Sequence, residues 1–230
     1  MKPKQLKTPF RWNDRKPLID DRVLYVPEYY QEHHAFSLPQ FSDPELFGRI
    51  APTLIEYCSG NGDWIIEKAQ QLPDFNWFAV EKRFDRVRKI WSKLKNHQVN
   101  NLVIVCGEAE PFTQYYLKDS SIEGSFINFP DPWPKGKHAK HRLFQSPFIQ
   151  QLHRVMSPNG KTTIATDDLE WANRISHTLL KEGIFHPVFP QPYYITQWPN
   201  YGFSFFEQLW LQKGKTIHYL QFLNGHKNCG

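Results

Sequence analysis

From residue 51 onward, short apolar runs alternate with segments of helical periodicity, and this rhythm constrains the fold more than any other feature. Thr53–Cys58 reads as a strand and Asp63–Leu72 as a helix with Ile65, Ile66, Ala69 and Leu72 on one side. Trp77–Val80 is a second strand. Arg83–His97 is the clearest helix, with Phe84, Val87, Ile90, Trp91 and Leu94 at helical spacing. Its opposite face carries Arg86, Arg88, Lys89, Lys93 and Lys95, most simply a solvated surface. Leu102–Cys106 and Ser125–Phe129 are further strands. Leu143–Met156 is a helix, Pro158-Asn159-Gly160 a turn, Lys161–Ala165 a strand and Leu169–Lys181 a helix. Phe205–Leu211 and Thr216–Phe222, around Lys213-Gly214-Lys215, read as a hairpin. Strands alternating with helices predict an α/β fold with a doubly wound, mostly parallel sheet, Rossmann-like, to which the hairpin adds an antiparallel edge.

Residues 1–50 lack clean periodicity. They read as a basic N-terminal arm plus short helices, and residues 51–230 as the main domain. Lys2, Lys4, Lys7, Arg11, Arg15 and Lys16 make the arm basic, either a disordered leader or an RNA contact. The opening Met1–Phe10 has no apolar core like that of a signal peptide, and no apolar run is long enough for a bilayer. A cytoplasmic protein without a membrane partner is the expectation. Three scattered cysteines (Cys58, Cys106, Cys229) support neither a zinc site nor a disulfide framework, so no metal is expected.

The first strand runs into Glu56-Tyr57-Cys58-Ser59-Gly60-Asn61-Gly62. In such sheets ligands bind beyond the carboxyl ends of the strands. Gly60 and Gly62 let the backbone approach a ligand, and Glu56, Glu81 and Glu108 place an acid at three successive strand ends. Ile65 stands where a dinucleotide fingerprint has its third glycine, which disfavours NAD. Acids in this register suit adenosine and the amino-acid end of S-adenosylmethionine (SAM).

The fourth strand leads into Asn128-Phe129-Pro130-Asp131-Pro132-Trp133-Pro134-Lys135. Its prolines stiffen a loop that presents Asp131, able to hydrogen-bond a base edge, with an aromatic two residues on. From Pro132 to Thr166 there is no Asp or Glu, whereas Lys135, Lys137, Lys140, Arg142, Arg154 and Lys161 are present. That asymmetry suits phosphate, and the net charge of +5 agrees with it.

These segments together resemble the bacterial tRNA (guanine-N7)-methyltransferase family. The resemblance rests on Phe129–Trp133 followed by the basic run Lys135–Leu143, on Ala165-Thr166-Asp167, and on Ser204-Phe205-Phe206-Glu207-Gln208-Leu209 as an altered Thr-x-Phe-Glu-x-Arg. It covers residues from about 50 to 222. It implies a class I SAM-dependent methyltransferase with a seven-stranded sheet, acting on the guanosine at position 46 of the tRNA variable loop. It also implies site residues. Glu56, Gly60, Gly62, Glu81, Glu108 and Asp131 would line the SAM site, with Asp131 the catalytic position. Lys135, Asp167, Ser204, Phe206 and Glu207 would contact the guanosine. Lys137, His138, Lys140, His141 and Arg142 would contact tRNA. Cys58 stands at the family's first cofactor-loop glycine, Glu108 at an Asp, Lys137 and His141 at arginines, Ser204 at a Thr and Leu209 at a late Arg. A non-catalytic tRNA-binding protein with this fold, and an RNA methyltransferase of other base specificity, stay open as alternatives, as do a monomer and a homodimer.

Overall fold

The computed structural model describes residues 1–9, 15–133, 142–199, 201–202 and 204–225. They fall into two compact units, Met1–Leu117 and Lys118–Gly230.

The first unit contains strands β1 (Leu18–Asp20), β2 (Val23–Tyr25), β3 (Thr53–Tyr57), β4 (Asn76–Glu81) and β5 (Leu102–Cys106), with helices α1 (Asp63–Gln71), α2 (Phe84–Asn96) and α3 (Ala109–Tyr116). Its strands lie in the order β1-β2-β5-β4-β3. All pairings are parallel except β1 with β2. Strands β3 and β4 are buried along their whole length, as expected where helices cover both faces of a parallel sheet. Helix α2 buries Val87, Ile90, Trp91 and Leu94.

The basic face of α2 is not simply solvated. Lys89 donates to the Asn61 side chain at 3.1 Å, and Lys93 donates to the Asn61 carbonyl at 2.9 Å and pairs with Asp63 at 2.5 Å. Lys95 pairs with Asp21, and Arg88 donates to the Leu6 carbonyl at 3.1 Å. These cations fasten the loop after β3, the start of α1, the β1–β2 turn and the N-terminal arm to one helix.

Among the described residues, the segment 1–50 contributes strands as well as two single-turn 3-10 helices, Pro3–Gln5 and His33–Ala35. The β1–β2 hairpin turns on Asp21 and Arg22, both at positive φ (46° and 69°), the geometry of a type I′ turn. Asn-Gly or Asp-Gly normally marks that turn, so Asp-Arg gave no signal. Here tertiary bonds offset the strain: Arg22 donates to the Leu46 carbonyl at 2.6 Å, and Trp91 donates to Asp21 at 3.0 Å. The Met1 carbonyl accepts from Ser92 at 2.7 Å, and Leu6 is buried, so the start of the arm is docked on α2. Phe41 and Phe47 pack edge-on against Phe78.

The second unit contains β6 (Ile122–Asn128), α4 (Ser146–Val155), β7 (Met156–Thr166), α5 (Leu169–Glu182), β8 (Phe185–Pro187), β9 (Tyr194–Ile195), α6 (Phe205–Gln212) and β10 (His218–Asn224). Its strands run β6-β7-β10-β8, with β9 also on β10. Strands β6 and β7 are parallel, and every pairing of β10 is antiparallel.

Three expectations are corrected. First, the described residues hold ten strands rather than seven. Second, Pro158-Asn159-Gly160 is not a turn before a strand but a bulge inside β7. Met156 pairs with Ile122 and Lys161 with Gly124, leaving the residues between opposite Glu123. A Cβ on Gly160 would lie 3.0 Å from the Ser157 carbonyl and 3.1 Å from the Glu123 carbonyl, and would displace the Met156 methyl at 2.8 Å, so a side chain there presses on both strands. Third, Phe205–Leu211 is helical, so it does not pair with Thr216–Phe222 as a hairpin. Ser204 accepts from the Glu207 amide at 3.0 Å while Glu207 accepts from the Ser204 amide at 3.4 Å, a reciprocal capping box. That cap nucleates α6 despite its aromatic and apolar composition, and tertiary context overrides strand propensity. No helix among the described residues is long and apolar enough to cross a membrane.

Candidate functional site

In the first unit, the ends of β3, β4 and β5 carry Glu56, Glu81 and Glu108. Glu56 is buried within β3 and Glu108 is exposed as the residue preceding α3. Glu81 is 5% exposed, and its carboxylate is the keystone of the loop. One oxygen accepts from the Gly60 amide at 3.0 Å and the other from the Arg83 amide at 2.8 Å, with the Arg86 guanidinium 3.6 Å away. The Ser59 amide reaches the Val80 carbonyl at 3.1 Å. The loop after β3 is thereby tied to the end of β4 at two successive residues.

Cys58 adopts φ 61°, the left-handed conformation for which glycine is suited. The loop therefore keeps a glycine-like path with a thiol at this position. Gly62 lies at φ 80° and precedes α1; a Cβ there would meet Ile90 at 2.8 Å. Close loop-to-helix approach and three acids at strand ends fit the adenosine and amino-acid ends of SAM. Nearby, Cys106 at the end of β5 has its thiol pushed up to about 12, by burial first and then by the charge of Glu81. A thiol so shielded is a packing group, not a nucleophile.

In the second unit, β6 delivers the proline-rich loop. Asn128 is buried, and its side-chain oxygen accepts from the Tyr201 hydroxyl at 2.6 Å. Phe129 takes φ 51° while its amide donates to the Ala165 carbonyl at 2.8 Å, so the loop departs sharply from the strand but stays tied to β7. Asp131 follows and is exposed. Arg142 was expected among the phosphate contacts. Its guanidinium donates to the Trp133 carbonyl at 2.8 and 3.2 Å and to the Pro132 carbonyl at 3.2 Å, and sits over the Trp171 ring at 5.7 Å. The planar fork of arginine suits this bracing of two adjacent carbonyls.

Asp167, just past β7, pairs with Lys215 at 2.8 Å. That hydrogen bond, reinforced by the charge, raises the lysine above its ordinary range. Ser204 and Glu207 were expected to contact guanosine. The structure binds them to each other in the α6 cap, and Glu207, 4% exposed, also accepts from the Tyr219 hydroxyl. Burial, and then this bond to Glu207, push the Tyr219 phenol upward. Phe206 packs near Phe129, ring centres 6.4 Å apart. Lys135, Lys137, His138, Lys140 and His141 lie outside the described residues.

The structure thus adds Tyr201, Tyr219, Lys215 and the bracing role of Arg142. Only Ser204-x-x-Glu207 had a readable signal, the spacing of a capping box.

A family model described as "putative methyltransferase" matches residues 50–220. The tRNA (guanine-N(7)-)-methyltransferase of Chlamydia muridarum is 48% identical over 223 residues, covering 97% of this chain and 98% of the relative. Among solved structures, the 16S rRNA methyltransferase KamB aligns with TM-score 0.60 at 14% identity, over 82% of this chain and 96% of that one. Phosphoethanolamine N-methyltransferase 2 of Haemonchus contortus, in complex with SAM, aligns with TM-score 0.52 at 12% identity, over 78% of this chain and 50% of that one. Both likenesses establish the Rossmann-like methyltransferase fold.

Proposed function

Because this chain belongs to the tRNA (guanine-N7)-methyltransferase family, we infer that it transfers the methyl group of SAM to N7 of a guanine in tRNA. We assign the guanine to position 46 of the variable loop and the activity to the cytoplasm, where tRNA is modified. The observation that carries the reading is the loop after β6: Asp131 is exposed on a segment held by Tyr201, Ala165 and Arg142.

Bound SAM supplies an electrophilic methyl group on a sulfonium sulfur. Guanine N7 has an available lone pair and needs no base before it attacks. Catalysis then comes chiefly from alignment of N7, methyl carbon and sulfur. Glu81 contributes by fixing the Gly60 loop, and Glu56 and Glu108 supply carboxylates for the polar ends of the cofactor. The methylated guanine gains positive charge. Asp131 and Asp167 favour that charge electrostatically and accept hydrogen bonds from N1 and the exocyclic amine. Glu207 and Ser204 hold α6 in place and Arg142 holds the loop; contact of Ser204 and Glu207 with guanosine and of Arg142 with tRNA stays assigned through the family resemblance. Lys135, Lys137, His138, Lys140 and His141 remain assigned to guanosine and tRNA through the family resemblance.

Calorimetric titration with SAM, followed by nucleoside mass spectrometry of treated tRNA, tests the reading. Binding of SAM and appearance of N7-methylguanosine are expected. Absence of SAM binding refutes the enzyme assignment, and methylation of adenine or cytosine refutes the base assignment.

A further inference from the structure

The turn after α6 places two cations on one indole ring. The Lys213 ammonium lies 4.7 Å and the Lys215 ammonium 4.6 Å from the centre of the Trp210 ring. Both lysines are exposed, and from Gln208 to Gly225 the sequence has no Asp or Glu. Phe205 and Leu211 on the same helix are 47% and 48% exposed. Cations stacked on the half-buried Trp210 ring, beside the exposed Phe205, suit a nucleic-acid backbone better than a purely solvated turn does. A solvated lysine gains little from a fixed position, whereas stacking on Trp210 has already restricted both chains. Lys215 has a further link, its 2.8 Å pair with Asp167, one of the carboxylates assigned to guanine. An ammonium has three N–H donors, so Lys215 can keep Asp167 and still donate to a phosphate.

Building on the tRNA-methyltransferase reading, we propose that Lys213, Lys215 and Trp210 form a contact surface for the sugar-phosphate backbone of tRNA beside the target guanine. This surface is separate in sequence from the basic run 135–142. Lys215 couples it to the base-reading carboxylate, so backbone docking and guanine recognition share one ion pair.

Binding of the full-length protein to a tRNA transcript, measured between roughly 50 and 200 mM salt, tests this. Each lost phosphate contact lowers the slope of log affinity against log salt by roughly 0.7–0.9. K213A/K215A is expected to lower the slope by roughly 1.5 and affinity about tenfold or more, with SAM binding unchanged. K213R/K215R keeps both charges and is expected to retain the slope. If the double alanine variant fails to fold, K213A alone is expected to lower the slope by roughly 0.7–0.9. An unchanged slope and affinity in a folded alanine variant overturns the proposal. Nucleoside mass spectrometry of tRNA treated with the wild-type enzyme is run beside the titration: absence of N7-methylguanosine there refutes the underlying reading, whatever the binding slopes.

Discussion

The Glu81 carboxylate accepts the Gly60 amide hydrogen at 3.0 Å and so joins the end of β4 to the loop that follows β3. Its second oxygen accepts from the Arg83 amide, placing both oxygens on backbone donors at a 5% exposed residue. Glu81→Gln would turn an amide N–H₂ toward one of these backbone N–H groups. The loop should loosen, and SAM affinity should fall about ten- to a hundredfold, roughly 1.4–2.8 kcal/mol. Isothermal titration with SAM measures this. Wild-type affinity in the variant would mean that the loop does not depend on the carboxylate.

Arg142 separates two roles by chemistry. As a brace on the Pro132 and Trp133 carbonyls it needs its planar fork, which lysine cannot reproduce. Arg142→Lys should therefore lower kcat about tenfold or more, and Arg142→Ala, which also removes the charge, should leave the salt dependence of tRNA binding at the wild-type slope. A normal kcat with altered tRNA affinity would return Arg142 to the phosphate contacts.

The α6 cap predicts stability effects without loss of base recognition. Ser204→Ala removes the acceptor for the Glu207 amide and should cost about 1 kcal/mol in urea unfolding. Glu207→Ala leaves the Tyr219 hydroxyl and the Ser204 amide without their acceptor and should cost about 2–3 kcal/mol. Preserved KM for tRNA in Ser204→Ala supports a structural role; a KM raised tenfold with unchanged stability would argue for direct guanosine contact.

Alkaline pH should destabilise the protein. The Cys106 thiol moves from the usual 9.0 to about 12 on folding, because burial favours its neutral form. The folded state then binds more protons than the unfolded state between those values, so stability is full below about 9 and falls as pH rises toward 12. Tyr25, Tyr116 and Tyr219 are raised chiefly by burial and act in the same direction. Urea midpoints at pH 8 and pH 10 should decrease in that order, with a smaller decrease in Cys106→Ser.

Periodicity located α2 and strands β3, β4 and β5 well because burial there is set by local pattern: Val87, Ile90, Trp91 and Leu94 are spaced for one face and all are buried. It failed where a distant partner decides. Asp21-Arg22 forms its turn through Leu46, Trp91 and Lys95, none of them near in sequence. Phe205–Gln212 looks like a strand by composition and becomes a helix through Ser204 and Glu207. The loop around Asp131 was legible from its prolines, whereas the brace supplied by Arg142 was not. Carbonyl partners nine and ten residues away leave no mark in a local pattern of basic residues.

The most direct test of the central claim uses labelled SAM and two tRNAs identical except for G or A at position 46 of the variable loop. Label should enter only the G-bearing tRNA, at a site that becomes cleavable by aniline, and Asp131→Ala should abolish it. Equal labelling of both tRNAs, or near-normal turnover by Asp131→Ala, would contradict the account.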